Sequence, residues 1–129
     1  MRLRGSETIL VVDDDPEILE LLEELLKPLG YNVITVASGE EALEMTALHM
    51  DKIDLLLTDV VLPGIKGQEL AKQVLHSCPG VYVLFMSGIL CPSMAHNDVG
   101  QHFEAFVRKP FSPNELLRKM RKVLDQQVH

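Results

Sequence analysis

Tryptophan is absent from this 129-residue chain and aromatic residues make up only 5% of it, so any core must be built from aliphatic side chains. Cysteine is scarce too. Cys78 and Cys91 form no C-x-x-C pair and have no histidine at zinc-ligand spacing, which argues against a zinc site and leaves two buried free thiols as the expectation. The five histidines, His49, His76, His96, His102 and His129, are scattered and read as ordinary surface residues. No apolar run approaches the roughly 18 residues of a membrane span, and residues 1–8 lack the hydrophobic centre of a signal peptide. A cytoplasmic location without membrane contact is expected. Positive charge is also short: the net charge of −7 leaves no clustered basic face for phosphate backbones, so no nucleic acid is expected as a partner.

What is present is an ordinary globular balance, 47% hydrophobic and 24% charged, in a length that builds one core but hardly two. Strand and helix signals alternate along it, the pattern that gives a parallel sheet covered by helices on both faces. Continuous apolar runs at Ile9 to Val12, Ile53 to Leu57 and Val81 to Met86 predict strands buried on both sides, and weaker runs at Tyr31 to Val36 and Ala105 to Val107 predict outer strands. The first helix should start with Asp15 as cap and Pro16 at its first position, with an apolar stripe of Ile18, Leu21, Leu22, Leu25 and Leu29 closed by a left-handed Gly30. Ser38 with Glu41, and Ser112 with Pro113 and Glu115, mark two further helix starts. In the last helix Leu116, Leu117, Met120, Val123 and Leu124 share one face, with Arg118, Lys119, Arg121 and Lys122 read as solvated. Between Ser87 and Gln101, Gly88, Pro92, Asn97 and Gly100 interrupt the apolar spacing, so a short or mobile fourth helix is expected. Residues 1–7 read as a flexible N-terminal segment, 8–126 as the folded domain and 127–129 as a tail.

In an open parallel sheet the ligand site lies beyond the carboxyl ends of the strands. Here the first strand ends in Asp13, Asp14 and Asp15, the third in Asp59, the fourth in Ser87 and the fifth in Lys109, followed by Pro110. Carboxylates gathered there repel one another, and a hard divalent cation with oxygen ligands relieves them. Mg2+ suits the set because it keeps waters and bridges to phosphate, while Lys109 supplies a balancing point charge. Taken singly, each residue also has a plain explanation as a cap, a turn residue or a surface cation. An acid pair, an acid, a hydroxyl and an amine on four strand ends in chain order together indicate phosphoryl transfer onto a carboxylate.

These residues resemble those of response regulator receiver domains over essentially the whole chain, Thr8 to Asp125. The resemblance rests on Ile9-Leu10-Val11-Val12-Asp13-Asp14-Asp15-Pro16, on Leu55-Leu56-Leu57-Thr58-Asp59 with Leu62-Pro63-Gly64 and Gly67, on Met86-Ser87-Gly88 and on Phe106-Val107-Arg108-Lys109-Pro110-Phe111. It implies a flavodoxin-like α/β fold: a single doubly wound sheet with strand order 2-1-3-4-5. It also implies a signalling phosphoacceptor rather than an enzyme, with Asp59 as acceptor and Mg2+ held directly by Asp14 and Asp59, through water by Asp13, and by the Val61 backbone carbonyl. Lys109 would pair with the phosphoryl oxygens. Ser87 and Phe106 would form the conformational switch, and the peptide before Pro110 would be cis. The implied partner is a histidine kinase or a histidine phosphotransfer domain, and a weak homodimer through the face of helix 4, strand 5 and helix 5 is the implied self-contact. Val61, two residues after the acceptor where the family often carries a polar side chain, implies slow self-dephosphorylation.

Two rival readings exist. A small haloacid-dehalogenase-like phosphatase would use Asp13 as nucleophile and Asp15 as acid/base, but no later strand ends in a further acidic pair and Asp59 would have no purpose. A flavodoxin-like nucleotide binder needs a phosphate-cradling loop after the first strand, where three aspartates would instead repel phosphate. The start Gly5-Ser6-Glu7-Thr8 and the run Leu84-Phe85-Met86-Ser87-Gly88 look more like receivers attached to hybrid kinases than like stand-alone ones.

Overall fold

In the computed structural model, which describes residues 3–49, 52–88 and 103–125 (for 103–105 the backbone alone), the apolar runs become one parallel sheet. Its strands are β1 (Thr8–Val12), β2 (Asn32–Val36), β3 (Leu55–Asp59), β4 (Tyr82–Ser87) and β5 (Phe103–Arg108). They lie in the expected order β2-β1-β3-β4-β5, every neighbouring pair parallel. Successive side chains point to opposite faces, which splits the core in two. Ile9, Val11, Leu55, Leu57, Leu84 and Met86 face α1 (Pro16–Leu26) and the C-terminal helix (Pro113–Leu124). Leu10, Val12, Leu56, Val83 and Phe85 face α2 (Gly39–Leu48) and α3 (Gly67–Ser77).

The helix starts follow the sequence signals. Asp15 accepts the amide of Glu17 at 3.0 Å ahead of Pro16, and Ser38 and Ser112 accept the amides of Glu41 at 3.2 Å and Glu115 at 3.1 Å. Each such cap contributes about 1 kcal/mol. Pro28 ends α1 early: the chain passes through a 3-10 turn, Lys27–Leu29, and closes on Gly30 with φ 105°.

Several expectations are corrected. β3 begins at Leu55 rather than Ile53, and it ends at Asp59 as expected, its register with β4 continuing to the Asp59 and Met86 pair. The inward line of α1 is Leu22 and Leu26, both fully buried, whereas Leu21 turns outward and is 46% exposed. Each of those two buried leucines contributes about 2 kcal/mol. On the C-terminal helix Arg118 and Lys122 are exposed as expected, but Arg121 is buried and Lys119 donates to the Phe106 carbonyl at 2.7 Å. The free thiol of Cys78 is buried. The fourth helix expected between Ser87 and Gln101, the dimer face that would use it, Cys91, His96, His102, His129 and the tail 127–129 lie outside the described residues. Among the described residues no helix is long and apolar enough to cross a membrane.

Candidate functional site

Parallel strands put all their carboxyl ends at one edge of the sheet, and four of the five carry the predicted residues. Asp13 directly follows β1, Asp59 and Ser87 are the last residues of β3 and β4, and Lys109 directly follows β5. Backbone bonds tie these ends together: Asp13 N donates to Val36 O at 3.2 Å, Val60 N to Met86 O at 3.0 Å, and Lys109 N to Ser87 O at 2.8 Å. The peptide between Lys109 and Pro110 is cis.

Asp13, Asp14 and Asp59 each offer a carboxylate oxygen, and these atoms lie within 4.8 Å of one another. Asp13 is fully buried, Asp59 nearly so, and Asp14 is exposed. The Lys109 ammonium donates to Asp13 Oδ2 at 2.7 Å and to Asp59 Oδ2 at 3.0 Å. The other oxygens are also engaged: Asp13 Oδ1 accepts the Asp15 amide at 2.9 Å, and Asp59 Oδ1 accepts the Val61 amide at 3.1 Å. Burial pushes the Asp13 carboxyl up from its ordinary range, against the pull of Lys109, and the neighbouring charge of Asp59 adds to the rise. Burial would lower the Lys109 ammonium, yet its bonds to Asp13 and Asp59 outweigh this and hold it above its ordinary value.

Three carboxylates against one ammonium leave two formal negative charges, the complement of one divalent cation. All the donors are oxygens, one carboxylate is open to water, and this hard set fits Mg2+ better than a soft metal.

Phe106 is half-buried, pairs with Phe85 across the ladder, and sits one pleat behind Arg108, the register partner of Ser87. Ser87 and Phe106 therefore share a sheet face. Asp15 is not brought into the cluster, because its carboxylate caps α1. His49 follows α2 and His76 lies in α3, both outside the carboxylate group. Val61 touches Asp59 through its amide, a donor that residue types do not reveal. A second contributor not foreseen as a packing constraint is Gly67, whose amide donates to Val60 O at 3.0 Å and whose Cα lies against the Asp59 backbone.

The chain is similar to known proteins over most of its length. A family model described as the response regulator receiver domain matches residues 9–121. The chain is 34% identical over 123 residues to an uncharacterized transcriptional regulatory protein, YbdJ, of Bacillus subtilis (strain 168), the match covering 91% of this chain and 50% of that protein. It is 31% identical to the sensor kinase CckA of Brucella abortus (strain 2308), covering 97% of this chain and 13% of that one. The chain thus spans half or less of these relatives. Among solved structures it resembles a CheY-like response regulator receiver domain protein from Methanospirillum hungatei JF-1, with a TM-score of 0.83, 30% identity, and coverage of 95% of this chain and 97% of that one.

Proposed function

This chain belongs to the response regulator receiver domains of two-component signalling, and from that membership we propose that it takes a phosphoryl group from a phosphohistidine onto Asp59. The donor would be a histidine kinase or a histidine phosphotransfer domain, and the setting the cytoplasm. The observation that carries this reading is the shared ammonium: Lys109 bridges Asp13 and Asp59, so it is already in place to neutralise a phosphoryl group arriving on Asp59. An Asp59 oxygen forms the new bond to phosphorus as the bond from phosphorus to the donor nitrogen breaks, and the departing imidazole takes up a proton. A carboxylate nucleophile needs no general base for this.

Receiver domains bind Mg2+ at an acidic pocket, and in this chain Asp14 and Asp59 would hold it directly, Asp13 through water and Val61 through its carbonyl. When bound, the ion withdraws charge from the phosphoryl oxygens and offsets the repulsion among the carboxylates. After transfer, the Ser87 hydroxyl would donate to the phosphoryl oxygens and Phe106, on the same sheet face, would follow it inward. The phosphatase alternative loses support because Asp15, its required acid/base, is engaged as the cap of α1.

Acetyl phosphate with magnesium tests the reading. One phosphoryl group per chain should appear, located on Asp59 by peptide mapping, and EDTA should prevent it; label on another residue would refute the assignment. The same sample reports lifetime. Val61 is 58% exposed and apolar, so its side chain cannot orient an attacking water. The acyl phosphate is expected to survive for minutes or longer, and Val61→Asn to shorten its life; decay of the wild-type label within seconds contradicts this.

A further inference from the structure

Away from the acidic site, a second group of charges gathers around one buried arginine at the opposite end of the sheet. Arg121 lies on the inward face of the C-terminal helix, 8% exposed, between Leu117 and Leu124. Its guanidinium forks onto both carboxylate oxygens of Glu7 at 2.8 and 3.0 Å and reaches Asp125 at 2.6 Å and the Tyr31 hydroxyl at 3.2 Å. A guanidinium withdrawn from water costs several kcal/mol unless paired, and a forked carboxylate is its best partner. Burial opposes ionisation of Glu7, but the bonds and charge of Arg121 and nearby backbone amides win, so its carboxyl lies below its ordinary value of 4.5.

Glu7 belongs to the segment 3–7 before β1, and that segment is tied down at several points. Tyr31 donates to Leu3 O at 2.9 Å, Gly5 N donates to Leu29 O at 3.2 Å, Asn32 N to Glu7 O at 3.0 Å, and the Asn32 side chain to Ser6 O at 3.1 Å. Gly30, which already needs its positive φ, also has no room for a side chain because a Cβ there would strike the Gly5 carbonyl. The five residues of β1, at roughly 3.3 Å each, separate this end from the one bearing Asp13.

We propose that residues 3–7 are an integral strap, with Arg121 as its buckle, locking the chain ahead of β1 to the end of the C-terminal helix. In a longer protein, segments joined ahead of β1 and behind that helix would then be held in fixed geometry at the end remote from Asp59. The hinge for a preceding segment lies no later than Leu3, not at residue 7.

Amide hydrogen exchange on the 129-residue chain tests the strap. The Gly5 and Asn32 amides should be protected, and Glu7→Gln should lower Gly5 protection about tenfold or more, as loss of a charge-assisted bond implies, while the amides of Val11, Leu56 and Leu84 and labelling of Asp59 stay unchanged. Arg121→Gln should have the same or a larger effect, and Glu7→Gln stands alone if that variant does not fold. The gap in melting temperature between wild type and Glu7→Gln should be full above pH 4.5, the ordinary value of this carboxyl, and close as pH falls through its lower folded value. Asp125, the other acid on the guanidinium, and the Tyr31 hydroxyl are present in both proteins and drop out of the gap. A Gly5 amide exchanging at the rate of an unstructured peptide, or protection unchanged in Glu7→Gln, would overturn the proposal.

Discussion

Replacing Asp59 with asparagine is expected to abolish acetyl-phosphate labelling while leaving the chain folded. The amide has the size of the carboxylate and keeps an oxygen to accept the Val61 amide, so the loop geometry survives. Lys109 keeps Asp13 as a partner at 2.7 Å, so no buried charge is left unpaired. What is lost is the nucleophile, since a neutral amide oxygen does not form a stable acyl phosphate at neutral pH. Intact-mass measurement after incubation should show no phosphorylated species in Asp59→Asn and a shifted species in wild type. Label persisting in the variant would move the nucleophile to Asp13 and revive the phosphatase reading.

The second large effect is expected at Gly67. A Cβ there would fall on the Asp59 carbonyl oxygen and lie 2.9 Å from the Val60 Cα, and both obstacles are backbone. No rotamer change relieves such a clash, so α3 or the end of β3 must shift. Gly67→Ala should therefore destabilise the fold by about 3 kcal/mol, at the upper end of overpacking effects. In a domain of this size that lowers Tm by roughly 10 °C. Because the displaced backbone carries the acceptor, labelling of Asp59 should fall even at temperatures where the variant is fully folded. Calorimetry with a parallel labelling assay checks both, and a variant with wild-type Tm would show that the close approach is not maintained in solution.

The acidic site was legible because each of its residues lies within two positions of the end of an apolar run, and parallel strands deliver such positions to one edge. Asp13, Asp59, Ser87 and Lys109 all reach their expected strand ends. Caps were legible for a similar reason, since they act over two or three residues. Long-range matters were not. The leucines of α1 surround much of the helix, Leu19, Leu21, Leu22, Leu25 and Leu26, so several stripes fit equally well and only packing selects Leu22 and Leu26. Arg121 was grouped with its exposed neighbours because a cation is normally solvated. Its spacing from Leu117 and Leu124 does put it on the buried face, and a search for acids able to meet it there would have pointed to Asp125, one turn on. Glu7 could not be found that way, being 114 positions distant. Gly67 carried a motif signal, but its closeness to Asp59 is a tertiary fact.

Phosphoryl transfer as proposed requires Asp59 to be the carboxylate that meets phosphorus while its acidic neighbours are neutralised by magnesium. Beryllofluoride, a phosphoryl mimic, probes this directly in a crystal grown with magnesium. The expected result is an adduct on an Asp59 oxygen, magnesium in contact with Asp14 and Asp59, and Lys109 turned onto a fluorine. An Asp59 left bare, or an adduct on Asp13, would contradict it.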